Sequence, residues 1–472
     1  MRHDDARQLL NRTGFAADLD EIEAFTKLSR NEAVEKLLAR TGRPAATPPP
    51  AWAMTYERPP RLKLLDEDAR KRFRRRLREQ VIELRNWWIT EMLTTSSPFT
   101  EKMTLFWHNH FTSSIRKVRS PVLMYRQNHL LRHYAFGNFR DFLHVVAKDP
   151  AMMIWLDTAA DRKRHPNENF SREVMELFTL GLGHYTQRDV TESARAYTGW
   201  SIDRDRGEFV FRPRQHDDGP KTFLGRTGNF NGDEVLDIIL DQPAVAGFIT
   251  AKLWRHFVSL NPDPRELQPI ARRFRESGYD IKVALRGILA SDAFYAPRNR
   301  AVLFKSPVDF VVGTLRQFRF DVGDATPFSF ICARLGQNLF APPNVAGWPG
   351  GEAWINSNTL LARKQFLGRI FRGQERMAAG LSGAPRMMQA TANRMMMVAP
   401  KTAMGGIGRR ITRGMTALHF DEHRWFAQFE PGDRAAIERV IYAGRPVQQP
   451  RPGATGVELL KELTLDPMYE LI

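Results

Sequence analysis

The chain has 472 residues, 42% of them hydrophobic, a formal net charge of +17 and one cysteine, Cys332. That length allows two or three domains or one large helical body. A single cysteine excludes an internal disulfide framework and disfavours a cysteine-based metal site, and no run approaches the ~20 apolar residues of a membrane span. The positive balance points to an anionic substrate or partner, or reflects only an arginine-rich composition. No signal peptide is visible at the start, so the chain reads as cytoplasmic, with export alongside a partner as the alternative.

In chain order, residues 1–42 read as short helices and residues 43–60 as a Pro-rich linker or strap, since "RPAATPPPAWA" carries four prolines. A long helix is predicted from about Asp66 to Thr94, basic in its first half and apolar around Trp87 and Trp88 in its second. Ser97-Pro98, Asp149-Pro150 and Ser306-Pro307 each read as a helix start, because proline suits the first helical position. Alternating runs on either side of Asp217-Asp218-Gly219 predict one β-hairpin near 208–225. Residues 61–365 thus form a main helical body. Residues 366–472 read as a Met-rich flexible insertion followed by a C-terminal docking helix. The predicted fold class is mainly α: a large multi-helix globular body, one short β-hairpin and long Pro/Gly loops.

Three stretches carry the candidate chemistry. In "PNENFSREVMELFTLGLGHY", Asn167 is placed to cap a helix. Its 100° wheel puts Phe170, Val174, Leu177 and Phe178 on one side and Glu168, Arg172 and Glu176 in a four-residue ladder on the other. Glu173 falls about 60° from Glu176, at the border of the apolar face, where a carboxylate is a general acid/base, a metal ligand or half of a buried ion pair. In "FWHNHF", His108 and His110 are two residues apart, hence diverging on a helix. Each is either a core histidine or a ligand or acid/base group. In "RQHDDGPK", His216 and Lys221 flank a turn whose Asp and Gly need no further explanation. The candidates are therefore Arg172, Glu173, Glu176, His216 and Lys221 for catalysis, and His108, His110 and Glu173 for a divalent transition metal. Asp189 is a plausible cap for the next helix, where Glu192 and Arg195 lie three apart. The loop from Gly336 to Arg363, with Trp348 and Trp354, reads as a lid or a strap. No phosphate loop, dinucleotide fingerprint, HExxH or nucleophile elbow is present, and no nucleic-acid module, which disfavours nucleic acid as partner.

The blocks "LLNRTGFA", "EKMTLFWHNHFTSS", "GNFRDFLHVVAKDPAMMIWLD", "PNENFSREVMELFTLGLGHYTQRDVTESARAYTGW", "HDDGPKTFLG", "KSPVDFVVG" and "GQNLFAPPNVAGWPGGEAWINS" occur in this order over roughly residues 5–365. Together they resemble the bacterial family called domain of unknown function 1800. The resemblance implies an uncharacterised protein whose gene neighbours often encode family 1501, itself similar to the alkaline-phosphatase superfamily. It implies no catalytic residues. Two readings follow. One is a metal-assisted or acid/base enzyme, hydrolytic or oxidative, with a polar pocket built from the "FWHNHF" and "PNENFSREVMELF" segments. The other is a non-catalytic assembly protein whose polar residues form a buried network, working with a phosphatase-like partner. A third, nucleic-acid or membrane-surface binding through Arg70–Glu79, ranks last on sequence.

Overall fold

A computed structural model describes residues 1–378 and 404–472. Asp66 caps the long helix Glu67–Thr94, its carboxylate accepting from Ala69 N at 2.7 Å. Burial in this helix begins only at Ile82 and then takes in Leu84, Trp87, Trp88, Ile89 and Met92. The Pro-rich segment before it lies against its second half. The Glu91 carboxylate accepts from Ala46 N and Thr47 N at 3.1 and 2.7 Å, and Trp87 Nε1 donates to Thr47 O. Despite its prolines, the segment closes one short 3-10 turn, Ala51–Met54.

The proline-led helices form as their sequences predict: Pro98–His110, Pro150–Trp155 and Pro307–Gln317. Their caps differ in chemistry. Asp149 accepts from Met152 N, and Ser306 with Asp309 makes a reciprocal capping box. Ser97 instead turns its hydroxyl to Arg40 O and Thr100. Pro98–His110 is buried on almost every side, from Phe99 through Trp107 to His110, which makes it the central helix of the body. One continuous apolar core runs from Ala6 and Leu9 through Trp107, Trp254 and Phe310 to Leu460 and Tyr469.

The chain is mainly helical, but its strands pair differently from the expectation. Glu208–Phe211 pairs with Trp200–Asp203, and Lys221–Phe223 pairs with Arg226–Gly228, each as a separate antiparallel two-stranded sheet. The Asp217-Asp218-Gly219 segment joins the two sheets and is not the turn of one hairpin. Near the end, Gly456–Leu465 buries Val457, Leu459, Leu460 and Leu463 and docks on Ser357–Ala378. The Met-rich insertion predicted after Arg363 falls largely outside the described residues; Met404–Thr416, where description resumes, is helical.

Candidate functional site

Asn167 caps the glutamate helix by accepting from Asn169 N, and Glu168–Glu173 is α-helical. Val174–Thr179 then widens into a π-helical turn, with Leu180 N and Gly181 N both reaching Met175 O at 2.8 and 3.0 Å. Such turns are rare and gather at functional sites. The widening leaves Leu177 O and Phe178 O at a helix end without backbone donors, and two side chains from elsewhere supply them. His110 Nε2 meets Phe178 O at 3.1 Å. Lys252 Nζ donates to Leu177 O at 2.8 Å and sits 3.2 Å from His110 Nδ1.

The carbonyl fixes the tautomer. Phe178 O only accepts, so His110 carries its proton on Nε2 and offers the Nδ1 lone pair to the Lys252 ammonium. Burial, with the Lys252 charge second, holds His110 well below the usual imidazole range, so the ring is neutral. Burial, with Arg255 second, pulls Lys252 down to about 8. Two of the three ammonium protons are taken, and Lys252, Leu177 and Phe248 are all half-buried, with the ammonium 4.9 Å from the centre of the Phe248 ring.

His108, two residues earlier, faces elsewhere. Its ring lies 5.4 Å from each of Trp88, Phe340 and Trp348, centroid to centroid. Both its nitrogens, and Trp348 Nε1, are buried without a hydrogen-bond partner. Burial drives His108 down to about 3. Asn109 between the two histidines accepts from Trp348 N at 2.6 Å, so this helix end also fastens the Gly336–Arg363 loop. The loop is an ordered strap here, with Trp348 and Trp354 buried.

The helical divergence of His108 and His110 is as the wheel predicts, and it does not build the predicted metal site. Among the described residues no three His, Cys, Asp or Glu side chains gather as a metal-ligating group, so His108, His110 and Glu173 do not converge. Glu173 is half-buried, and burial, then the neighbouring Glu176, raises its carboxyl, with Arg172 opposing. The expected ladder stops after one rung. Arg172 pairs with Glu168 at 3.2 Å and reaches Gln187, whereas Glu176 accepts from the Tyr185 hydroxyl at 2.8 Å.

His216 and Lys221 are closed within their own loop. His216 Nδ1 donates to Thr198 O at 2.8 Å, and Lys221 Nζ donates to Asp217 O and Gly219 O at 2.6 and 3.0 Å. Arg195 completes the loop by bonding both oxygens of Asp217 and also Glu192. Asp189 is the capping-box partner of Thr186, the actual cap. Elsewhere Arg132 forks onto Glu101 at 2.7 and 2.8 Å while Trp88 Nε1 holds the same carboxylate, all buried. Two hollows, of about 380 Å³ beside Asp18, Arg316 and Arg319 and about 350 Å³ beside Arg43, Glu91 and Glu101, lie away from the Lys252–His110 pair.

Sequence reasoning missed Lys252. Its one signal is a lysine between the buried Ile249 and Leu253 of the helix Ala244–Phe257. A mainly helical body whose polar signature segments meet at a π turn is the class this geometry defines. The chain belongs to the family described as protein of unknown function DUF1800, which it matches over residues 8–452. No curated protein and no solved structure matches it. Among the described residues no helix is long and apolar enough to cross a membrane.

Proposed function

We propose that the protein is an acid/base enzyme whose proton-transfer group is Lys252, oriented by His110, at the meeting of the "FWHNHF" and "PNENFSREVMELF" segments. One observation carries this reading: the amine of half-buried Lys252 is held between Leu177 O and the neutral His110 ring. A base works best with a pKa close to the working pH, and burial brings Lys252 there. Once deprotonated, its lone pair is the proton acceptor offered to a bound substrate. Glu173, one turn before Leu177 in the chain and raised by burial, is the second titratable group, suited to the acid role. The net charge of +17 suits an anionic substrate.

The test is competitive labelling with a limiting amine-reactive anhydride, from neutral to alkaline pH, read peptide by peptide. Lys252 is expected to titrate near 8; titration with the surface lysines, near ~10.4, removes the base and the proposal with it. In a turnover screen of anionic esters and phosphates, Lys252→Met is expected to abolish any activity of the wild type without lowering its melting temperature.

A second reading is a non-catalytic assembly protein. The observation favouring it is that His216 is occupied by Thr198 O, Lys221 by Asp217 O, and Asp217 by Arg195 from the neighbouring helix, as in structural networks. Its partner would be the phosphatase-like family 1501 product implied by the resemblance. Stable co-purification of the two, undiminished by Lys252→Met, would favour it over the enzyme.

A further inference from the structure

The long helix buries no residue fully before Ile82, and none of its first fourteen residues, Glu67 to Gln80, packs on the apolar core. The chain leading into it folds back alongside: Arg70 Nε donates to Leu62 O at 2.9 Å, and Arg76 pairs with Glu57 at 2.9 Å. The base of this arm is fixed, since Arg58 pairs with Asp205 at 2.8 Å and the Tyr56 ring lies under Arg126. Across residues 54–79 there are ten Lys and Arg against five Asp and Glu. Among the described residues Arg61, Lys63, Arg72, Arg74 and Arg78 have no ion pair or hydrogen bond from their side chains, and all are exposed. Leu64, in the turn Leu62–Leu64, is 77% exposed, and Met54 is 66% exposed. Single exposed apolar side chains are ordinary, but both of these lie on the segment that carries the free cations.

We infer that the arm, residues 54–79, is a peripheral docking surface for an anionic phospholipid membrane. Its two features ask for the two layers of a lipid interface. The free cations suit the headgroup phosphates, and Leu64 and Met54 suit the acyl boundary beneath. A nucleic acid would use the cations alone: the arm offers no exposed aromatic platform, and its one ring beyond Tyr56, Phe73, is half-buried. An acidic protein would likewise leave its binding governed by charge.

The experiment is co-sedimentation of the full chain with vesicles of phosphatidylcholine alone and with one third phosphatidylglycerol. Binding is expected only to the anionic vesicles. Each cation near such a surface is worth about a fivefold change in affinity. The Arg72→Gln, Arg74→Gln, Arg78→Gln triple variant should therefore bind roughly a hundredfold more weakly. Leu64→Asp should bind more weakly than Leu64→Ala, with all variants melting like the wild type, since the altered side chains are exposed. Equal binding to both vesicle types overturns the inference. So does binding that Leu64→Asp leaves unchanged while duplex DNA or polyglutamate competes as well as lipid, which would assign the arm to a soluble polyanion.

Discussion

Replacing His108 with phenylalanine isolates the cost of a buried, unpartnered imidazole. The ring is fully buried among Trp88, Phe340 and Trp348 and neither nitrogen is bonded. Its folded pKa is about 3, against 6.5 for the free side chain. The folded state therefore stays neutral while the unfolded chain takes up a proton, so stability is whole above 6.5 and falls as the pH drops towards about 3. From pH 7 to pH 5 that linkage removes about 2 kcal/mol. His108→Phe keeps an aromatic ring and deletes the titration. Overpacking sets its stability at neutral pH, so the informative quantity is the change with pH. Chemical denaturation of both proteins at the two pH values should show the wild type losing about 2 kcal/mol more than the variant. His256, also pushed down to about 3 by burial, titrates in both and cancels. Parallel pH profiles would refute the reasoning, because they would mean that His108 has a partner that accepts or shares its proton.

Three further outcomes are expected. Arg132→Met strands the buried Glu101 carboxylate and should cost about 3–5 kcal/mol in denaturant unfolding, much of it recovered by adding Glu101→Gln. Asp149, raised to about 7 by burial, binds a proton more tightly folded than unfolded. Its contribution is therefore full at low pH and lost as the pH rises through about 7, so Asp149→Asn should gain on the wild type in thermal melts between mildly acid and mildly alkaline buffer. Gly347 has φ +88°, and an added Cβ would run into Asn109. Gly347→Ala should cost about 1–3 kcal/mol and release Trp348, seen as a red shift of tryptophan emission.

What the sequence made legible was local. Asp66, Asp149 and Ser306 announce helices because the cap and the first turn are neighbours in the chain. The divergence of His108 and His110 is pure helical geometry. Partner choice was not legible. Glu208–Phe211 has the alternation of a strand, but nothing in it says that the short "WSID" run, rather than Lys221–Phe223, will lie beside it. His216 and Lys221 look reactive in sequence because the carbonyls that occupy them, Thr198 O, Asp217 O and Gly219 O, belong to the backbone and carry no residue signature. Lys252 escapes notice for the same reason. Its partner Leu177 O is free because it lies in the last turn before the helix ends, and no composition rule marks the π turn there.

That widening is in effect one residue too many in a helix. Deleting a single residue between Val174 and Thr179 would let the segment relax to α geometry and re-aim the carbonyls within it. Leu177 O and Phe178 O would then point away from Lys252 and His110, while the apolar side chains near them could still find core to fill. The spacing of this segment is thus under a constraint that its side chains do not reveal. It should tolerate conservative substitution far better than any change in length.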